Sequence, residues 1–281
     1  MGAVTRRESV FLMVITAVIV LFLSGCGSSG SHSSARADAT SGIKTYVVAT
    51  RGTAKPFSYT DDQGNLTGYD VEILKEVEKR DPSIHFIFKT MAVDAAFVAM
   101  DSGQVDIIAN QMRHTPARDA KYSFTKEINN YTVRKLVVKK GRTDIHSLED
   151  LKGKKVMVTT NSEMNTLVKE FNKTADPPLQ VVYTDNGSAE SLNLVATGRV
   201  DASGEYVYVT EAAEKTLGLP IQITGPVLNV FDTHYLLRKA PELQEAADRI
   251  DRAIASMRSD GTLKKLSEQY LGDDYTVKPK A

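Results

Sequence analysis

One cysteine, Cys26, and no tryptophan occur in 281 residues. A lone thiol excludes an intramolecular disulfide framework and any multi-cysteine zinc site. Neither sign of charge is in excess: 35 Lys+Arg face 35 Asp+Glu, which argues against a nucleic-acid binder, whose domain would carry a basic face. The five histidines (32, 85, 114, 146 and 234) are scattered, and neither metal-ligand spacing nor a G-x-S-x-G nucleophile motif occurs. No metal or cofactor is expected. No apolar run reaches the roughly 20 residues that span a bilayer as a helix. What remains is ordinary globular composition, 42% hydrophobic, at a length that suits one large domain or two modest ones.

The N-terminus carries an address. Arg6 and Arg7 precede Val10–Leu23, an apolar run interrupted only by Thr16. A positive flank followed by a short apolar core predicts a signal peptide over residues 1–25, removed on export. Leu23-Ser24-Gly25-Cys26 follows and resembles the bacterial lipobox. The resemblance implies that Cys26 becomes the acylated first residue, palmitate included, and anchors the chain to the outer face of the cell membrane. Each buried CH₂ contributes about 0.8 kcal/mol, so several acyl chains hold where one would not. Residues 26–43 then form a Ser/Gly-rich stretch without a large apolar side chain before Ile43, expected to be a flexible tether with a solvated His32. Removing Arg6, Arg7 and Glu8 with the leader shifts the balance by only one charge, to −1, so nothing suggests an anionic partner.

Beyond the tether, apolar runs alternate with amphipathic ones. Strands are expected at 46–50, 84–88, 105–109, 135–138 and 155–159, with a hairpin turn over 61–68. Helices are expected at 69–80, 95–102, 147–151, 163–172, 188–198 and 241–258, with Ser188 as an N-cap. Leu243, Ala247, Ile250, Ile254 and Met257 recur at spacings of 3 and 4, which marks the last helix as strongly amphipathic. Alternating β and α units imply an α/β protein of two lobes with ligand in a crevice.

Gly68-Tyr69-Asp70-Val71-Glu72-Ile73 resembles the signature of bacterial family 3 extracellular solute-binding proteins, the polar amino-acid receptors of ABC importers. Further matches follow in order: Gly103-Gln104-Val105-Asp106, Thr115-Pro116-Ala117-Arg118, Tyr122-Ser123-Phe124-Thr125, Leu151-Lys152-Gly153-Lys154, Gly198-Arg199-Val200-Asp201-Ala202 and Ser259-Asp260-Gly261-Thr262. Together they cover essentially residues 44–273. Glu78 departs from the pattern, which has a small apolar residue there, and is expected to face solvent. The resemblance implies a periplasmic-binding-protein-like (type II, Venus-flytrap) α/β fold with two crossover strands, 134–138 and 230–237, carrying the hinge. Lobe 1 is then 44–132 plus 233–281, and lobe 2 is 133–232.

The same resemblance distributes roles. Arg118, the Arg of T-x-x-R, is expected to grip the ligand α-carboxylate, which a planar guanidinium fork can take in bidentate fashion. Asn110, Gln111 and Arg113 follow a strand at its carboxyl end, where α/β sheets bind ligands; the Ala-Asn-Gln wording is similar to cystine-binding members. His114, in the same loop, is expected to be exposed. Ser162, with Asn161 before it, opens a helix whose free N–H groups either complete a carboxylate cage or are simply capped. The acidic residue that the family uses for the ammonium falls on Tyr206. Either Glu205 takes it through a local shift or the amine is held differently. Aromatic shelf positions of the family fall on Ala54 and Val93, so a roomier pocket is expected. Arg51 and Arg113 disfavour a cationic side chain.

The implied action is capture of one polar L-amino acid, cystine first, by a monomer that closes and docks on a membrane permease powered by an ATPase. An adhesin or ligand-sensing receptor on the same fold is the alternative, and a dehydratase-like enzyme a further one.

Overall fold

A computed structural model describes residues 42–160, 162–184 and 187–279. The leader, Cys26 and the tether as far as Ser41 lie outside the described residues, as does Asn161. Among the described residues no helix is long and apolar enough to cross a membrane.

The chain begins with β1 (Lys44–Thr50), followed by a small antiparallel sheet of β2 (Thr53–Ala54), β3 (Ser58–Thr60) and β4 (Leu66–Thr67). The turn of that sheet is the expected hairpin, closed by Asp61 Oδ1, which accepts from the Gln63 and Asn65 N–H groups. Helix α1 (Tyr69–Arg80) buries Tyr69, Val71, Ile73, Leu74 and Val77. β5 (Ile84–Thr90), α2 (Val93–Asp101), β6 (Ile107–Met112), α3 (Pro116–Lys121) and β7 (Tyr122–Phe124) complete the first stretch.

A long strand, β8 (Asn130–Lys139), leads into β9 (Lys155–Thr159), α4 (Glu163–Phe171), β10 (Gln180–Thr184), α5 (Gly187–Ala196), β11 (Ala202–Tyr206) and α6 (Val207–Leu217). The 18-residue β12 (Ile221–Arg238) returns, and α7 (Pro241–Ser259) and α8 (Thr262–Leu271) close the chain. The short helix expected at 147–151 is a 3₁₀ turn over Glu149–Leu151.

Among the described residues nine strands form one mixed sheet, ordered β10-β9-β11-β8-β12-β6-β1-β5, with β7 also on β12. β1 pairs in parallel with β5 and β6, and β9 with β10 and β11. The two parallel halves are joined by antiparallel β8 and β12, which pair from Ile221↔Lys139 to Thr233↔Asn130 with a register shift between Thr224 and Asn229. Apolar packing is divided in the same way. Tyr46, Ile73, Leu74, Phe86, Ile107 and Tyr235 share a core with α7 and α8. Leu136, Val156, Val158, Met164 and Val168 form another under α4. Two smaller clusters, around Met100, Ile108 and Leu236 and around Val137, Met157 and Val195, add to these, and apolar cores on both arms of one sheet make a two-lobed α/β fold.

Two local expectations are corrected. Glu78 does not face open solvent: its carboxylate accepts from the Phe86 N–H and pairs with His85. Ser188 does not cap its helix; it lies inside α5, and its hydroxyl donates to Glu205 Oε2 at 2.7 Å.

Candidate functional site

Two cavities lie at the centre of the sheet and share one residue, Tyr206. The first, of about 220 Å³, is lined by Asn110, Gln111, Arg113, Arg118, Tyr208 and Phe231, among others. The second, of about 250 Å³, is lined by Arg134, Ser162, Ser188, Gly204 and Glu205, among others.

In the first cavity, strand β6 runs past Ala109, so Asn110 and Gln111 belong to the strand and not to a loop after it. Gln111 takes φ 51°, the left-handed region, and is the one non-glycine to do so among the described residues. Such a conformation costs on the order of 1–2 kcal/mol, and the fully buried Asp70 carboxyl offsets it. Asp70 Oδ2 accepts from the Gln111 N–H at 3.0 Å and Oδ1 from Gln111 Nε2 at 2.6 Å. Burial pushes the Asp70 carboxyl up to about 7, against the pull of the two Gln111 hydrogen bonds. Gln111 Nε2 also donates to Asn130 Oδ1 at 3.0 Å, and Thr233 Oγ1 donates to the same oxygen at 2.8 Å. The cavity floor is thereby tied to the crossover strands. Asn110 Oδ1 accepts from the Arg51 N–H at 3.0 Å. Asn110 Nδ2 and Gln111 Oε1 are buried without a partner among the described residues, a donor and an acceptor left unsatisfied at the cavity.

Arg118 opens α3, whose N-cap Thr115 accepts from the Arg118 N–H. Its guanidinium donates to the Arg113 carbonyl at 3.1 Å and lies 5.5 Å from the Phe97 ring centroid. Burial, and then the neighbouring Arg113 charge, lower its pKa; two cations held together in part-buried surroundings make an anion-attracting pair. Arg113 lies 4.4 Å from the Phe231 ring centroid and pairs with Glu163, at the first position of α4. That ion pair joins the two arms of the sheet.

The other predicted residues are placed less simply. Arg51 is exposed and lines neither cavity; its contribution is the main-chain N–H to Asn110. Ser162 spends its hydroxyl as the N-cap of α4, accepting from the Asn165 N–H at 3.1 Å, and lines the second cavity. Glu205 is buried in the second cavity, on Ser188. Tyr206 stacks on Tyr208, with ring centroids 5.6 Å apart, and Tyr208 meets Phe57 edge-on at 4.8 Å. Aromatic surface absent from Ala54 and Val93 is thus supplied by Tyr206, Tyr208 and Phe231, so the first cavity is not bare of rings. His114 is exposed as expected, with Asp119 2.6 Å away, yet it is not isolated: its ring lies 4.0 Å from Phe124 and 5.0 Å from His234. No group of metal-ligating side chains is found among the described residues.

Sequence reasoning missed Arg134. It stands on β8 opposite Tyr206, only 7% exposed, with its guanidinium 4.5 Å from the Tyr206 centroid. Its Nε has no partner among the described residues, and Glu163 is 3.9 Å from its NH2. A signal was present: Arg134 and Lys135 are adjacent in a strand, where neighbours point to opposite faces, so one of the two charges has to turn inward.

A two-armed sheet with a polar, arginine-rich crevice at its crossover is the architecture of a solute receptor. Residues 46–273 match the family of bacterial extracellular solute-binding proteins, family 3, and the chain belongs to that family. It is 33% identical to the L-cystine-binding protein TcyK of Bacillus subtilis (strain 168), over 96% of this chain and 98% of the relative. Among solved structures, it resembles a probable amino-acid ABC transporter extracellular-binding protein of Bacillus subtilis, with TM-score 0.76, 34% identity and coverage of 83% and 100% of the two chains. It also resembles the L-cystine solute receptor of Neisseria gonorrhoeae in its unliganded open conformation, with TM-score 0.70, 30% identity and coverage of 83% and 95%. The protein is accordingly an exported solute receptor of two lobes, and the enzyme alternative falls.

Proposed function

We propose that this receptor captures a polar L-amino acid, cystine or a close analogue, and delivers it to the permease of an ABC importer driven by an ATPase. The observation that carries the reading is the first cavity. It gathers two guanidinium groups, Arg113 and Arg118, beside an unpaired amide donor and an unpaired amide acceptor on Asn110 and Gln111. Arg118 and Asn110 Nδ2 suit the α-carboxylate, and Gln111 Oε1 suits the ammonium. Names of relatives that bind L-cystine support the choice of ligand.

Lobe 1 comprises 44–132 and 233–281 and lobe 2 comprises 133–232, with β8 and β12 as the flexing pair. Ligand contacts made from both lobes favour the closed state by their differential affinity. Cys26 carries the lipid that keeps this monomer at the outer face of the cell membrane.

Calorimetric titration with cystine, glutamate, glutamine and arginine tests the ligand. Cystine is expected to bind tightest; tightest binding of arginine overturns the reading. Fractionation of cells carrying Cys26→Ser tests the anchor, which predicts loss of the protein from the membrane fraction.

A further inference from the structure

The polar chain at the floor of the first cavity has a direction. Thr233 Oγ1, Asn130 Oδ1, Gln111 Nε2 and Asp70 Oδ1 follow one another at 2.8, 3.0 and 2.6 Å. The Gln111 amide nitrogen thus stands between two oxygen acceptors. Its Oε1 is the atom left over, buried without a partner among the described residues at the cavity that Gln111 lines. An amide has a donor side and an acceptor side, and turning it over exchanges the two without moving the backbone.

Each link in the chain can be turned. Thr233 Oγ1 carries a single proton and has two acceptors within reach, Asn130 Oδ1 at 2.8 Å and the Asn130 carbonyl at 3.1 Å. Donating to the carbonyl leaves the hydroxyl able to accept from an inverted Asn130 amide. The Asp70 end fixes the choice. Its Oδ2 accepts from the Gln111 main-chain N–H at 3.0 Å, a donor that cannot turn over. Oδ1 is the atom whose character changes. Ionised, it only accepts, and Gln111 has to present Nε2; protonated, it donates, and Gln111 has to present Oε1. Both forms lie within reach, because burial raises the fully buried carboxyl to about 7. The other titratable groups that sense its charge are the phenols of Tyr69 on α1, Tyr208 on α6 and Tyr235 on β12, all pushed up by burial. Arg113 and Arg118 line the cavity itself.

We infer that Asp70 is a positioning residue for the solute: ionised, it leaves the Gln111 side-chain oxygen at the cavity to accept from an ammonium, and protonated, it puts the amide nitrogen there instead. This inference rests on the amino-acid reading above and deepens it, because capture of an ammonium then requires Asp70 to give up its proton. Neutral pH favours capture, and acid relaxes it.

The test is calorimetric titration of the full chain and its Asp70→Asn variant with cystine and with dithiodipropionate, which is cystine stripped of its amino groups. An Asn at this position keeps its oxygen on the Gln111 main-chain N–H. Its Nδ2 then faces the Gln111 side chain and holds it in the inverted sense at every pH. The unaltered protein should bind cystine at least about 10-fold tighter than dithiodipropionate. That ratio cancels any effect of His114 or His234 on the carboxylate contacts. It should fall by up to about 8-fold as pH is lowered from about 7.5 to about 6. Asp70→Asn should bring the ratio close to one at both pH values and still bind dithiodipropionate, which shows that the variant is folded. A ratio in the unaltered protein that is near one, or that does not change with pH, overturns the inference and leaves the amino-acid reading standing. This profile decides by itself should the variant fail to fold. A folded Asp70→Asn variant that weakens both ligands alike also overturns the inference, making Asp70 a framework residue. Binding of neither ligand by the unaltered protein overturns the amino-acid reading and this inference with it.

Discussion

Gln111 donates twice to one carboxyl, through its main-chain N–H and its side-chain amide, and that carboxyl belongs to the fully buried Asp70. The pair ties the signature segment at the start of α1 to the left-handed residue at the cavity floor. It also sets a pH dependence. Folded Asp70 keeps its proton up to about 7, whereas the ordinary value is 3.8. The folded state therefore binds the extra proton between those limits, and the contribution of Asp70 to stability falls as pH rises from about 4 to about 7, by up to roughly 4 kcal/mol, and is flat above. Asp70→Asn cannot titrate. Chemical denaturation at a series of pH values should show a slope in the difference between the two proteins over that window only; a constant difference contradicts it.

Arg118 is expected to dominate ligand affinity. Removing one partner of a desolvated charge pair costs about 2–5 kcal/mol, so Arg118→Ala should weaken amino-acid binding by more than about 30-fold. Arg118→Lys keeps the charge but not the planar fork, and should recover only part of the loss. Titration calorimetry reads both; wild-type affinity in the lysine variant removes the bidentate argument.

Glu163 is expected to compete with the ligand. Its carboxylate pairs with Arg113 in the first cavity, with both side chains 33% exposed. At that exposure the pair is worth roughly 0.2–1 kcal/mol. Glu163→Gln should therefore raise affinity for a carboxylate ligand by up to about 5-fold. A drop in affinity instead would mean that Glu163 itself contacts the ligand.

Gly68 is a stability determinant. It takes φ 117°, and a Cβ there would stand 2.5 Å from the Phe57 carbonyl oxygen. That oxygen accepts from the Asp70 N–H, and the Pro56 oxygen, 2.9 Å from the same Cβ, accepts from the Tyr69 N–H, so neither carbonyl is free to retreat. Gly68→Ala should cost at least about 3 kcal/mol, and lower Tm by roughly 6–12 °C. Thermal unfolding checks it.

Legibility in the sequence follows the strength of local patterning. Helix α1 appears at 69–80 as expected because its apolar spacing, acidic first turn and basic last turn all agree. The crossover strand expected over 230–237 extends back to Ile221 and is 18 residues long, because Thr224-Gly225-Pro226 only interrupts the run; Gly225 takes φ 70° at the register shift, and the strand resumes beyond it. Asn110 and Gln111 suggest a loop because they are polar, yet they sit in β6, where the partners of Gln111 come from α1 and β8 and that of Asn110 is the Arg51 N–H, all distant in sequence. Arg134 is hidden for the same reason: only the pairing of β8 with β11 places Tyr206 beside it. Local pattern locates elements; which side chains meet across them depends on strand order.

The larger core is assembled from both ends of the chain. Tyr46, Val48, Ile73, Leu74 and Phe86, all within the first half, share it with Ile250, Ile254, Met257, Leu263 and Leu271 of the last two helices. A chain that crosses a membrane N-terminus first cannot complete this core until its final helices have emerged. A chain cut short of its last two helices would thus leave the apolar faces of β1, α1 and β5 uncovered, so this lobe is completed only by the last residues to be added.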